Sequence, residues 1–220
     1  MIKEIITDEE ALSVISYEID CRKEGKLVRE IVINLKDTIR EHNLVSLSAP
    51  EIGEQRRLFV INFNGDLRSF VNPIITKVSG WEMSKEESPS IPDKKFILPR
   101  YNKVTAFYQT PLGETKSAEF VGLSAKIFQQ KVDSLEGILL SDLGLEIDTD
   151  FEEASEEEQQ EIIKMYLESL DIKKKEIEKE IAEDEDLTKV MNKVNLEEKI
   201  AKGDIVITEY HTGEEDKCQE

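Results

Sequence analysis

The sequence predicts an α+β domain, a mixed or antiparallel sheet packed around a central helix, followed by an acidic and mainly helical C-terminal extension. Two amphipathic helical patterns, near residues 28–39 and 123–134, flank a block of β-branched and aromatic runs separated by turn residues. The charge then shifts abruptly. Of a formal −19, residues 151–220 hold −13, with 23 Asp and Glu against 10 Lys and Arg. A chain of 220 residues, 39% hydrophobic, suffices for one well-cored domain and an appendage. The boundary is therefore drawn at 150, giving a domain over 1–150 and an extension over 151–220.

In the first helix, Val28, Ile31, Val32, Leu35 and Ile39 recur at intervals of three and four with charges between them, the stripe of a helix lying on a sheet. The runs RRLFVINF, SFVNPIITKV and NKVTAFYQT read as antiparallel strands. Asn64-Gly65, Asn72-Pro73 and Pro111-Leu112-Gly113 mark the turns. From Leu123 the period returns to that of a helix, and Gly137 stands where a C-terminal glycine belongs. In the extension, Ser155 and Glu158 form a capping box ahead of an apolar stripe of Ile162, Ile163, Tyr166, Leu167 and Leu170. Residues 172–200 are too sparsely apolar for a buried helix and predict an exposed helical arm. Its apolar residues Ile177, Ile181, Leu187, Val190 and Met191 are candidates for docking on a protein partner. The run DIVITEY at 204–210 has the composition of a short strand.

Composition removes several function classes. The negative charge would repel phosphate backbones, so a direct nucleic-acid partner is not expected. No run approaches the roughly 18 apolar residues of a membrane span, and the opening MIKEIITDEE is charged where a secretory signal is apolar. A cytoplasmic location is expected. Cys21 and Cys218 supply neither a disulfide framework nor a zinc ribbon.

Three blocks carry a family resemblance. LVSLSAPEIG at 44–53 resembles G-x-G-L-A-A-P-Q-I-G, EESPSIP at 86–92 resembles E-G-C-L-S-x-P, and FQQKVDSLEG at 128–137 resembles I-Q-H-E-x-D-H-x-x-G. These are the motifs of peptide deformylases, metal hydrolases that remove the formyl group from nascent chains. The connectors VNP, LPRYNKV and GILLSD stand in the family's order. The resemblance covers residues 10–150 and implies the peptide-deformylase-like fold.

It also implies a metal, Fe(II) or Zn(II), held by the cysteine of the second motif and two histidines of the third. Those positions are Ser88, Gln130 and Ser134. A hydroxyl and an amide do not replace thiolate and imidazole for such ions, so no metal or other cofactor is expected. The proton-shuttling glutamate corresponds to Lys131, and the oxyanion-stabilising glutamine to Glu51, which as a carboxylate only accepts. Pro89 lacks the backbone N–H that the family uses as a second donor. Glu51 and Lys131 have opposite charges, and a salt bridge between them is expected in the metal's place. Leu44 and Ser46 replace glycines where a substrate backbone would approach. Leu44, Val45, Arg100, Leu123 and Lys126 are expected to line what remains of the peptide groove.

The substitutions Ser46, Glu51, Ser88, Pro89, Gln130, Lys131 and Ser134 therefore suggest a vestigial site with no catalytic residue, on a fold kept without its reaction. The function expected is that of a non-catalytic pseudoenzyme, an interaction or assembly component. A structural protein of a bacteriophage particle is one concrete version, on family analogy. Two alternatives stand beside it: a pseudoenzyme meeting nascent peptides or ribosome-associated factors, and a metal-independent hydrolase using Ser88 beside Lys131.

Overall fold

The structure, a computed structural model, describes residues 1–183, with side chains as far as residue 171. Met1–Gly144 form one compact unit, and a second begins at Leu145. The first unit contains α1 (Glu9–Leu12), α2 (Gly25–His42), β1 (Ser46–Ser48), a 3-10 turn (Pro50–Ile52), β2 (Leu58–Phe63), β3 (Asp66–Ser88), β4 (Ile91–Gln109), β5 (Thr115–Val121), α3 (Leu123–Leu135) and α4 (Leu140–Leu143). Strands β1 to β5 form an antiparallel sheet in chain order, so each pairs with its neighbour in sequence.

The α+β architecture expected from the sequence, an antiparallel sheet packed on helices, is the one found. Helix α2 buries Val28, Ile31, Val32, Leu35 and Ile39, the residues its periodicity selects. They pack with Leu47, Leu58, Val60 and Val71 on one face of the sheet. On the other face Phe59, Ile61, Phe70, Val104 and Phe120 surround α3 through Ala125, Phe128 and Leu135. Strand β2 is thus covered on both sides, which explains why its first four residues, LFVI, are a continuous apolar run rather than an alternating one. The Phe128 ring stacks on Phe120 at 4.4 Å and meets Phe59 and Phe70 edge-on at 5.1 and 5.4 Å.

Just past the end of α3, Gly137 lies in the left-handed region at φ 72°, where a Cβ would come within 2.5 Å of the Ser13 carbonyl oxygen. Both conformation and contact require glycine. The long β3–β4 hairpin carries Ser88 and Ser90 at its tip, while β1 runs directly into the 3-10 turn that holds Glu51. These two ends of the sheet and the face of α3 bound the region described next.

The second unit begins with β6 (Leu145–Ile147), α5 (Thr149–Glu153) and α6 (Glu156–Glu183). The predicted capping box is present: Ser155 Oγ and N both donate to Glu158 Oε2, at 2.7 and 3.0 Å. Ile163, Tyr166, Leu167 and Leu170 are half-buried, whereas Ile162 is exposed. The side chains of Ile177 and Ile181, and all of Leu187, Val190, Met191 and the 204–210 run, lie outside the described residues. Among the described residues no helix is long and apolar enough to cross a membrane.

Removing the Phe128 ring should leave a cavity that the four-ring cluster cannot collapse into. Phe128→Ala is expected to cost ~3–5 kcal/mol in urea denaturation, and Ile33→Ala, on the exposed face of α2, well under ~1 kcal/mol.

Candidate functional site

Pro50 opens the 3-10 turn after β1 and Gly53, at φ 81°, closes it. This tight turn points Glu51 inward. Its Oε2 accepts three hydrogen bonds of 2.7 Å, from the Ser48 backbone N–H, the Ser48 hydroxyl and the Lys131 ammonium. On α3, Phe128, Lys131 and Leu135 are spaced at three and four, so the lysine sits on the helix's buried stripe between two apolar side chains. Glu51 and Lys131 are each only 2% exposed. The expected salt bridge is therefore formed and fully inside the protein. Burial alone would raise the pKa of Glu51, but the Lys131 charge and the Ser48 donors outweigh it and hold the carboxyl below its ordinary value.

Two other predicted residues join this network. Ser134 and Ser48 share a 2.7 Å hydroxyl–hydroxyl bond, and Ser88 donates to Glu51 Oε1 over a longer 3.4 Å. The Ser90 N–H donates to Ser88 Oγ at 3.2 Å. Gln130 does not join: its Nε2 donates to the Glu87 carbonyl at 3.0 Å. A cavity of about 30 Å³ beside the pair is lined by Ser88, Ser90, Gln130, Lys131 and Ser134 among others, room for about one water molecule.

Behind it lies a second ionic cluster. Arg100 forks onto Glu86 through Nε and Nη2 at 2.8 and 3.0 Å, and its Nη1 reaches Asp133 at 2.5 Å. Burial pushes the Asp133 carboxyl up, an effect that the Arg100 charge offsets only in part. Arg100 is 6% exposed and does not line the peptide groove, contrary to the sequence reading. A guanidinium satisfied by two carboxylates is a brace between the hairpin and α3.

The other residues expected at the groove line one open surface. Leu44, Val45 and Ser46 form one wall of an open groove of about 640 Å³, the hairpin tip from Ser84 to Lys95 the other, and Leu123, Lys126 and Ile127 the floor. Pro89 is on the hairpin wall. Val45 and Leu123 are exposed apolar side chains at the rim, and Lys126 pairs with Glu82.

Ser48 is the central residue that the sequence reading missed. The signal was present, because LSAP stands where the first motif has L-A-A-P, and a hydroxyl replacing a buried alanine needs a partner. Glu86 was missed as well, having no mark in sequence beyond its place in the second motif. The donors at the family's ligand positions do not fit an ion held by thiolate and imidazole. Two hydroxyls replace softer donors, the amide is turned to a carbonyl, and an ammonium stands beside them. Nor are Ser88 and Lys131 arranged as nucleophile and base. The lysine Nζ and the Ser88 hydroxyl both donate to Glu51.

Residues 2–146 match the polypeptide deformylase family. The peptide deformylase of Dictyoglomus turgidum is 32% identical over 126 residues, 57% of this chain and 82% of the relative. That of Carboxydothermus hydrogenoformans is 36% identical over 110 residues, half of this chain and 72% of the relative. In three dimensions the chain is similar to a peptide deformylase from Legionella pneumophila, with a TM-score of 0.62 at 25% identity, covering 80% of this chain and 96% of that one. These relatives are named for an enzyme over most of their length, which corrects the expectation of a non-catalytic pseudoenzyme acting as an assembly protein. A structural role in a phage particle has no support among them, and neither has the Ser88–Lys131 hydrolase.

Breaking the buried pair leaves an uncompensated charge, so Lys131→Met or Glu51→Leu alone should cost about 3–5 kcal/mol by urea denaturation, and the double variant substantially less than the sum. The depressed pKa of Glu51 also fixes a pH dependence. Its contribution is complete above the ordinary glutamate value of 4.5 and is lost as pH falls through the lower folded value. Between neutrality and strong acid, wild type should therefore lose more stability than Glu51→Gln, measured as the difference in denaturation midpoints across pH.

Proposed function

Because the chain belongs to the polypeptide deformylase family, we propose that it acts on the formylated N-terminal end of peptide chains, held in the groove between β1 and the β3–β4 tip. The observation that carries this reading is the groove itself. All three motif blocks meet there, and it lies along β1, the edge strand of the sheet among the described residues. An extended peptide can add to such an edge through main-chain hydrogen bonds, with side-chain pockets providing selectivity. Val45 and Leu123 supply apolar surface for the first side chain, and Lys126, tied to Glu82, makes one side of that pocket polar.

The changes at Ser88, Gln130, Lys131 and Ser134 alter the equipment of the centre rather than the shape of the groove. The donors present do not fit a metal held by thiolate and imidazole. The chain's own residues orient the site: Ser48 and Lys131 fix Glu51, Gln130 fixes the Glu87 carbonyl on the groove wall, and Arg100 fixes the hairpin against α3.

Two measurements test the reading. A formyl-methionyl tripeptide should bind by calorimetry, and Leu123→Asp should weaken binding at least about tenfold with an unchanged melting temperature, by placing a charge at the apolar rim. Formate release from the same peptide, with host deformylase excluded, tests the reaction. A rate that survives chelation and falls in Glu51→Gln supports a centre built on the residues described, and no release at any peptide concentration refutes the hydrolase reading.

A further inference from the structure

We propose that the Lys131 ammonium is the resident cation of this centre, standing in the electrostatic place that a divalent ion takes in a thiolate–imidazole site, with Glu51 as its counter-ion. The inference uses the functional reading only to locate the groove.

Three observations support it. Lys131 and Glu51 are both 2% exposed and in contact at 2.7 Å, so the pair is neutral and sealed from solvent. The oxygen facing the ammonium is heavily engaged: Glu51 Oε2 receives Ser48 twice as well as Lys131, the Ser48 hydroxyl is shared with Ser134, and Ser88 adds a longer bond to Glu51 Oε1. A divalent ion entering here would meet a fixed positive charge within a few ångströms in a poorly polarisable interior, where like charges repel strongly. The cavity of about 30 Å³ there offers serine hydroxyls and the carboxylates of Glu51 and Asp133, each already paired with a cation, and neither thiolate nor imidazole. Like a metal, the ammonium links separate segments: it joins α3 to the turn after β1 at Glu51, which Ser48 on β1 ties in turn to Ser134 near the end of α3. Its three N–H donors cannot be stripped by a chelator.

The test reads metal binding rather than turnover, so its failure is distinct from failure of the proposed function. Full-length wild type dialysed against Co²⁺ should retain well under about 0.1 equivalent, and neither Co²⁺ nor chelator should move its melting temperature. The quadruple variant Ser88→Cys, Gln130→His, Lys131→Glu, Ser134→His should bind about one equivalent and show thiolate-to-cobalt absorption. The triple variant that restores the ligands but keeps Lys131 is the decisive comparison, and should bind at least about tenfold more weakly than the quadruple. Equal affinity in the two would overturn the proposal, as would one equivalent in wild type that is lost in Ser88→Ala or Ser134→Ala.

Should the multiple variants fail to fold, Lys131→Gln decides. It leaves the Glu51 carboxylate among three serine hydroxyls, an oxygen-rich site with a net negative charge. Millimolar Mn²⁺ should then raise its melting temperature by several degrees and leave wild type unchanged. An identical response of the two proteins would refute the role assigned to the ammonium.

Discussion

Nearly everything in this protein depends on α3 being held against the sheet with its buried face committed. Phe128 places the helix by locking into the rings of Phe59, Phe70 and Phe120. One turn later the same face presents Lys131 to Glu51, and the neighbouring face presents Asp133 to Arg100. Gln129 adds two bonds to the backbone of Tyr101 and fixes the helix along β4. The apolar contacts provide the favourable free energy, and the polar ones select a single rotation and register. A helix turned by one residue would bury an unpaired lysine, at a cost of several kcal/mol.

The two ionic clusters differ in kind. Arg100 with Glu86 and Asp133 places one cation between two carboxylates, and the displaced titration of Asp133 follows from burial that one guanidinium only partly relieves. Glu51 with Lys131 is balanced one to one and supported by Ser48 donors, so the carboxylate stays charged. The first braces the hairpin. The second fills the centre, and its balance is what makes a fully buried lysine tolerable.

The substitutions at Ser88, Gln130, Lys131 and Ser134 were legible in the sequence because fixed spacing places them in known motifs, and the residue types there state which ligand chemistry is lacking. Inferring a non-catalytic assembly role from them went too far. A ligand set describes the equipment of a site, whereas the groove formed by Leu44, Val45 and Leu123 is kept and the chain is similar to named enzymes over most of their length. Arg100 was misplaced for a related reason. A charged residue in a motif connector reads as exposed until its two carboxylate partners, 14 and 33 residues away, are known.

By itself the sequence determined α2, β2 and α3 through their periodicities, the turn chemistry at Gly137 and the capping box at Ser155, whereas Asn72-Pro73, expected as a turn, is a bulge within β3. It also determined the opposite charges of Glu51 and Lys131. These are local or pairwise properties, written in spacing and residue type. The tertiary structure alone decided which hydroxyls complete the centre, that Gln130 turns to the Glu87 carbonyl, and that Arg100 lies behind the groove instead of in it. Those outcomes depend on satisfying every buried donor and acceptor at once among segments far apart in the chain, a constraint that exists only after the sheet has brought them together.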